Sequence, residues 1–422
     1  MALPTLDPIP SDTPAMPRWL VRVFAAAAGL SVANVYYAQP LLDALARDFR
    51  MTEAAVGLVV TATQVGCALA LLLVVPLGDL LDRRRLVRVQ SVCLVLALAA
   101  VAVAPGRMTL LAGMGAVGLL GTAMTQGLIA YAASLAAPAE RGSVVGAAQG
   151  GVVIGLLLAR SLSGLVADVA GWRAVYGTAA VLAVAMGVAL HRALPARHAP
   201  AAAPRLAYPT LIGSTFTLIA QDRVLRTRGM LALLMFAAFN IFWTPLALPL
   251  SAPPYALSHT QIGAFGLVGA LGALAAARAG QWADRGLGQR TTGLALGAML
   301  LSWLLLAGTS QSLWWLAAGI VLLDLGGQAI HVTNQGMIFR SAGAHSRMVA
   351  GYMLFYAVGS GLGAMASTAM YAAAGWTGVC ALGAGVTLLA AAFWAFTLSR
   401  RDRSVAQTTE HAVRCASCKV GP

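Results

Sequence analysis

The chain has 422 residues, 59% hydrophobic and only 10% charged, with a mean hydropathy of +0.79, whereas a soluble globular protein carries about 25% charged residues. Its net charge of +14 is broken into short clusters between apolar runs, with no basic face or interleaved aromatics, which argues for membrane topology and against a nucleic-acid partner. Five cysteines make no disulfide framework: Cys67, Cys93 and Cys380 fall inside apolar runs, and Cys415-Ala-Ser-Cys418 supplies two of the four ligands of a structural zinc site. Neither a metal site nor a cofactor is expected.

Residues 1–18 read as a polar tail. The run from Phe24, flanked by Arg18 and Arg22, has the look of a signal peptide. It continues through Asn34-Val-Tyr-Tyr-Ala-Gln-Pro40, too long and too polar for a cleaved segment, so it is read as a first span. Twelve such runs follow the chain at 19–42, 54–77, 86–104, 109–134, 142–167, 172–193, 229–252, 259–281, 291–309, 313–338, 347–372 and 376–398. Nearly all are long enough to cross about 30 Å of hydrocarbon as helices. They predict an all-α polytopic membrane protein with an N-terminal six-helix bundle over 19–193 and a C-terminal one over 229–398. The linker 194–228 fits either an amphipathic surface helix (Leu211, Ile212, Phe216, Leu218, Ile219, Leu225) or a plain connector, and 399–422 reads as a disordered tail.

With the N-terminus inside, cytoplasmic segments hold 23 of the 28 basic residues; Arg47, Arg50, Arg107 and Arg173 lie outside, and Arg160 alone lies within a span. This bias predicts both termini in the cytoplasm and an even number of spans.

The halves echo each other. Gly78-Asp-Leu-Leu-Asp82-Arg83-Arg-Arg-Leu-Val-Arg88, a short charged turn between spans 2 and 3, returns 202 residues later at Gly280-Gln-Trp-Ala-Asp284-Arg285-Gly-Leu-Gly-Gln-Arg290. Asn34-Val-Tyr36-Tyr37 parallels Asn240-Ile-Phe-Trp243, Gln126-Gly-Leu-Ile parallels Gln335-Gly-Met-Ile, and Gly171-Trp172 parallels Gly375-Trp376. Four matches in the same order predict two related halves.

Of fourteen Asp and Glu residues, only Asp324 sits deep in a span. It lies about 15 Å along the helix from Trp314, near the midplane if Trp314-Trp315 marks the outer interface. A carboxylate there costs on the order of 2.5–3.5 kcal/mol, so it should face a wet cavity. Gln328, His331 and Gln335 follow at i+4, i+7 and i+11 on the same face. Asp324 and His331 are therefore candidates for proton coupling or a substrate cation, against the plainer reading of a polar stripe joining helices. Arg160 either snorkels outward, pairs with Asp43 or Asp168 in an outer gate, or binds an anionic substrate. Asn34, Tyr36, Tyr37, Gln39, Gln126, Asn240, Trp243, Gln328 and Gln335 mix aromatic walls with polar points, as a substrate pocket needs. Gly146, Gly151 and Gly155, with Gly351, Gly359 and Gly363, allow close helix approach in spans 5 and 11.

Over about 19–398 the sequence resembles the major facilitator superfamily, whose signature Gly-x-Leu-x-Asp-Arg-x-Gly-Arg-Arg is carried by Gly78, Leu80, Asp82, Arg83 and Arg85 or Arg88. Asn34-x-Tyr-Tyr-x-Gln-Pro-Leu-Leu42 and Asp324-x-Gly-x-Gln328 resemble a bacterial drug-exporter-like subgroup. Two departures stand out: no Arg or Lys lies between Arg107 and Arg141, and the exporters' span-5 signature survives only as Gly151-x-x-x-Gly155. The resemblance implies two bundles related by a pseudo-twofold axis, a cavity lined by spans 1, 4, 7 and 10, and transport by rocking. It implies that Gly78, Asp82 and Arg83, with Asp284 and Arg285, form a conformational latch in which Asp82 meets the neighbouring bundle. The expectation is a monomeric, proton-coupled exporter of drugs, siderophores or metabolites in a bacterial inner membrane, with symport or facilitated uptake as the alternative. An enzyme is not expected, since neither H-E-x-x-H nor G-x-S-x-G occurs.

Overall fold

A computed structural model describes residues 16–137, 140–194, 207–275, 277–339 and 345–417; the side chains of Asp284 and of 399–417, among a few others, lie outside the description, as do the N-terminal tail and Cys418. Every regular element among the described residues is helical. The first half runs through α1 (Arg18–Tyr36), a short α2 (Leu42–Asp48), α3 (Glu53–Leu69), α4 (Arg83–Ala102), α5 (Arg107–Leu135), α6 (Arg141–Ala170) and α7 (Trp172–Ala193). After α8 (Tyr208–Gln221) come α9 (Arg223–Trp243), α10 (Ala247–Ser251), α11 (His259–Ala275), α12 (Ala277–Trp282), α13 (Gly288–Ala307), α14 (Leu313–Phe339) and α15 (His345–Ser417).

Local chemistry sets the boundaries. Thr52, Asp82 and Asp222 cap α3, α4 and α9 by accepting the backbone N–H of Ala55, Arg85 and Leu225. Gly171, at φ +80°, separates α6 from α7, and Gly375, at φ +62°, breaks α15; both positions favour a residue without Cβ. Among the described residues, ten helices are long and apolar enough to cross a membrane. Leu96, Leu304 and Trp314 point outward, an exposure that suits lipid rather than water.

Buried apolar side chains fall in two clusters, one spanning Met16–Leu194 and one Leu225–Ala390, with Leu248, Ala357 and Ala364 reaching into the first. The close approaches inside the clusters recur. A Cβ at Gly151 or Gly155 on α6 would overlap the carbonyls of Ala25 and Gly29 on α1; one at Gly359 or Gly363 on α15 would overlap those of Leu233 and Ala237 on α9. Each residue of the second set lies 208 positions after its counterpart. Gly146 meets open space, and Gly351 meets only the side chains of Ile219 and Leu225.

One expectation meets helix instead, and one open alternative narrows. The tail read as disordered continues α15 as helix to Ser417, there being no Gly or Pro between Ser399 and Ser417 to end it. Part of the linker is helix α8, which buries Thr215 and whose Tyr208 hydroxyl donates to the Leu73 carbonyl at 2.6 Å; residues 195–206 lie outside the description.

Candidate functional site

Two opposite charges are buried on either side of one glycine face. Gly263, Gly266, Gly269 and Gly272 recur every third residue on α11, which brings its backbone against α6 and α14. Arg160 on α6 packs at Gly266, where a Cβ would lie 3.3 Å from its Cβ and Cδ; Asp324 on α14 packs at Gly269, where a Cβ would lie 2.9 Å from Oδ2. These glycines are about one turn apart, so the two side chains are neighbours along one face. Their charges act on each other, yet no ion pair joins them, and both Arg160 Nη2 and Asp324 Oδ2 are buried without a hydrogen-bond partner. Arg160 is 4% exposed and Asp324 6%.

Aromatic groups from both halves hold the guanidinium. Arg160 Nε donates to Gln39 Oε1 at 2.7 Å, and the guanidinium carbon lies 4.1 Å from the centre of the Trp243 ring and 5.4 Å from that of Tyr36. The Tyr36 hydroxyl meets the Tyr356 hydroxyl at 2.5 Å, and Tyr356 packs edge-on against Phe236. The Trp243 Nε1 atom in this layer is also buried without a partner.

Other expected site residues lie elsewhere. His331 is not brought to Asp324. It shares a hydrogen bond of 3.0 Å between Nδ1 and the Tyr352 hydroxyl and packs edge-on to Phe236, because seven residues displace it about 10 Å along α14. Asn34 and Asn240 donate to carbonyls of their own helices, and Asn34 and Tyr37 line a small cavity against α7, inside the first cluster. Gln328 and Gln335 are half-buried and make no hydrogen bond among the described residues. Gln126 lines a separate cleft of about 100 Å³ with Pro76, Arg83, Gln90, Thr215 and Arg347. Arg228, assigned from sequence to a cytoplasmic segment, is buried and donates to Thr292 Oγ1 and Asn334 Oδ1. Among the described residues no three His, Cys, Asp or Glu side chains gather as metal ligands.

Arg160 pairs with neither Asp43 nor Asp168. Eight residues, about 12 Å, separate it from the end of α6 where Asp168 sits. There Arg47 Nη2 lies 3.0 Å from Asp43 Oδ2, and His259 joins both carboxylates: Nε2 lies 3.1 Å from Asp43 Oδ1 and Nδ1 2.8 Å from Asp168 Oδ1. Asp168 also accepts the backbone N–H groups of His259 and Thr260, so a carboxylate from the first cluster caps a helix of the second. Near this end Gly57 on α3 packs against Ala364 and Thr368 of α15, and Thr61 donates to the Gly361 carbonyl. The contact expected for Asp82 is not made here. Its exposed carboxylate caps its own helix, while Arg83 donates to the Gly78 and Ala130 carbonyls; Arg285 is exposed.

Comparison with known proteins agrees with this architecture. The family model described as Major Facilitator Superfamily matches residues 24–295 and 230–415. The putative uncharacterized transporter YgaY of Escherichia coli (strain K12) is 42% identical over 385 residues, covering 89% of this chain and 94% of that protein. The probable transporter SCO4007 of Streptomyces coelicolor is 31% identical over 399 residues, covering 92% and 88%. Among solved structures, an inward-facing, unoccupied bacterial homolog of the human lysosomal transporter Spinster superposes with a TM-score of 0.70 at 13% identity, covering 89% of this chain and 95% of that one. The human organic anion transporter MFSD10 (TETRAN) gives 0.65 at 19% identity, covering 90% and 100%. At these identities the solved structures establish the fold alone.

Proposed function

This chain belongs to the major facilitator superfamily, and from that premise we propose that it is a proton-coupled secondary transporter of small amphipathic molecules working by alternating access. The observation that carries the reading is Asp324, a buried carboxyl with an unpartnered oxygen facing Arg160 across the α11 glycines. A group in that position has two ways to meet its charge: a proton or a ligand.

Twelve spans in two bundles fit the chain. Arg347–Leu398 has 52 residues, about 78 Å of helix, which is twice what a bilayer needs and breaks at Gly375; α11 with α12 supplies the remaining crossing. The 208-residue recurrence of glycine contacts supports a pseudo-twofold relation. The basic-residue bias places both termini in the cytoplasm, so the His259 clasp closes the outer face and the Gln126 cleft opens inward. Bacterial relatives support an inner-membrane location. In this reading Asp82 belongs to a latch engaged in the opposite, outward-open state.

The sense of coupling depends on the cargo's charge. A cationic cargo displaces the proton from Asp324, which gives the exchange and export expected from the resemblance; an anionic cargo at Arg160 brings a proton with it. Either way, Asp324→Asn abolishes pH-gradient-driven flux in proteoliposomes while the protein still inserts and remains monodisperse. Wild-type flux from that variant removes the reading.

A further inference from the structure

We infer that Arg160 and Trp243 receive the carboxylate of a small organic monoanion, and that this anion crosses together with one proton held by Asp324. The inference rests on the transport reading above and supplies its substrate class.

Two neighbouring groups are buried without partners: Arg160 Nη2 and Trp243 Nε1. Neither of these side chains is more than 4% exposed. Guanidinium and indole nitrogens only donate, so what the pair lacks is an acceptor. A buried donor without one is costly, and a planar guanidinium fork fits a carboxylate best. Gln39 and the Trp243 ring already fix the Arg160 side chain, leaving the Nη2 edge for a ligand.

The surroundings narrow the class further. The titratable groups acting on Arg160 are Tyr36 from α1, Tyr356 from α15 and Asp324 from α14, with Cys67 of α3 beside the tyrosines; α11 presents glycine and α9 presents Trp243. The layer therefore holds one cation within aromatic walls. Among the described residues it has no second cation for a phosphate or dicarboxylate, and its walls suit an apolar body.

Coupling follows from competition for that cation. Without cargo, ionised Asp324 balances Arg160. When a cargo carboxylate arrives, two carboxylates face one buried guanidinium, and Asp324 takes a proton from water. When the anion leaves, Asp324 releases the proton to the same side, so no net charge moves.

The test is thermal unfolding of the purified full-length protein in detergent with benzoate, phenylacetate and hexanoate, each against its amide and its amine. The three carboxylates raise Tm and the amides and amines do not. Arg160→Gln weakens the response at least about tenfold, as expected for a lost charged hydrogen bond, while Arg160→Lys keeps part of it. Trp243→Phe, which retains a ring and removes one donor, weakens it several-fold and carries the comparison if Arg160→Gln does not fold. The proposal is overturned if none of the carboxylates binds, if the amines bind instead, or if the folded variants respond as wild type. Binding is read without a gradient, so the two readings fail separately. Carboxylate binding without pH-driven flux removes the transport reading and leaves this site; Asp324-dependent flux without carboxylate binding removes this site alone.

Discussion

Gly269 and Gly272 stand one turn apart on α11, both beside Asp324, yet they answer to different atoms. A Cβ at Gly269 would press on the carboxylate oxygen at the end of a side chain that can turn away. One at Gly272 would strike the Val321 carbonyl, which cannot. Gly272→Ala should therefore cost about 1–3 kcal/mol of stability by overpacking, while Gly269→Ala stays within about 0.5 kcal/mol and acts on transport by displacing the carboxylate. Melting curves and flux on the same preparations separate the two; equal stability losses would mean that the glycine face serves packing alone. Asp324 was legible in the sequence because a single acid deep in a 27-residue apolar helix has no cheap explanation. Its partner was less so: Arg160 stood out as the one basic residue within a span, but the nitrogen it leaves free depends on Gln39, 121 positions away.

At the scale of elements, α11 joins the two clusters in two ways. Its glycine face lies between α6 and α14, and its first residue is clasped by Asp43 and Asp168. The i, i+3 spacing of the glycines was visible in the sequence, whereas the reading above gave close packing to Gly146, which meets nothing. The clasp left no local trace, since His259 is 91 residues from Asp168 and 216 from Asp43. If it closes the outer face, Asp168→Asn, which weakens both the His259 contact and the trans cap, shifts the protein toward the outward-open state. A single cysteine placed at Leu248 in a cysteine-free background should then react severalfold faster with a membrane-impermeant maleimide. An unchanged rate in the same background would show that the glycine contacts hold that end closed without the clasp.

For the whole molecule, repetition built the scaffold, and the candidate site lies where the repetition fails. The offset that pairs Gly155 with Gly363 pairs Arg160 with Thr368, whose hydroxyl donates to Ala364 and Ala54 carbonyls within the interface between halves. The offset that pairs Gln126 with Gln335 pairs Asp324 with Gly115. Composition and span length were therefore enough to read the helical membrane architecture, and the echoed motifs were enough to read its family. Tyr36, Gln39 and Trp243 do gather around Arg160, but the echoed asparagines were poorer guides: Asn34 and Asn240 bond to their own helices, which satisfies a polar group inside a span without any ligand. The informative residues were the unrepeated charges. In the proposed mechanism, rocking the halves about that asymmetric layer would expose Asp324 and Arg160 to each side in turn.

The most direct measurement is proton exchange on cargo binding. Benzoate added to the purified protein in weakly buffered solution should remove about one proton from solution per carboxylate bound, and this uptake should vanish in Asp324→Asn. Carboxylate binding with no proton uptake, or uptake that persists in Asp324→Asn, would contradict the assignment of Asp324 as the coupling group.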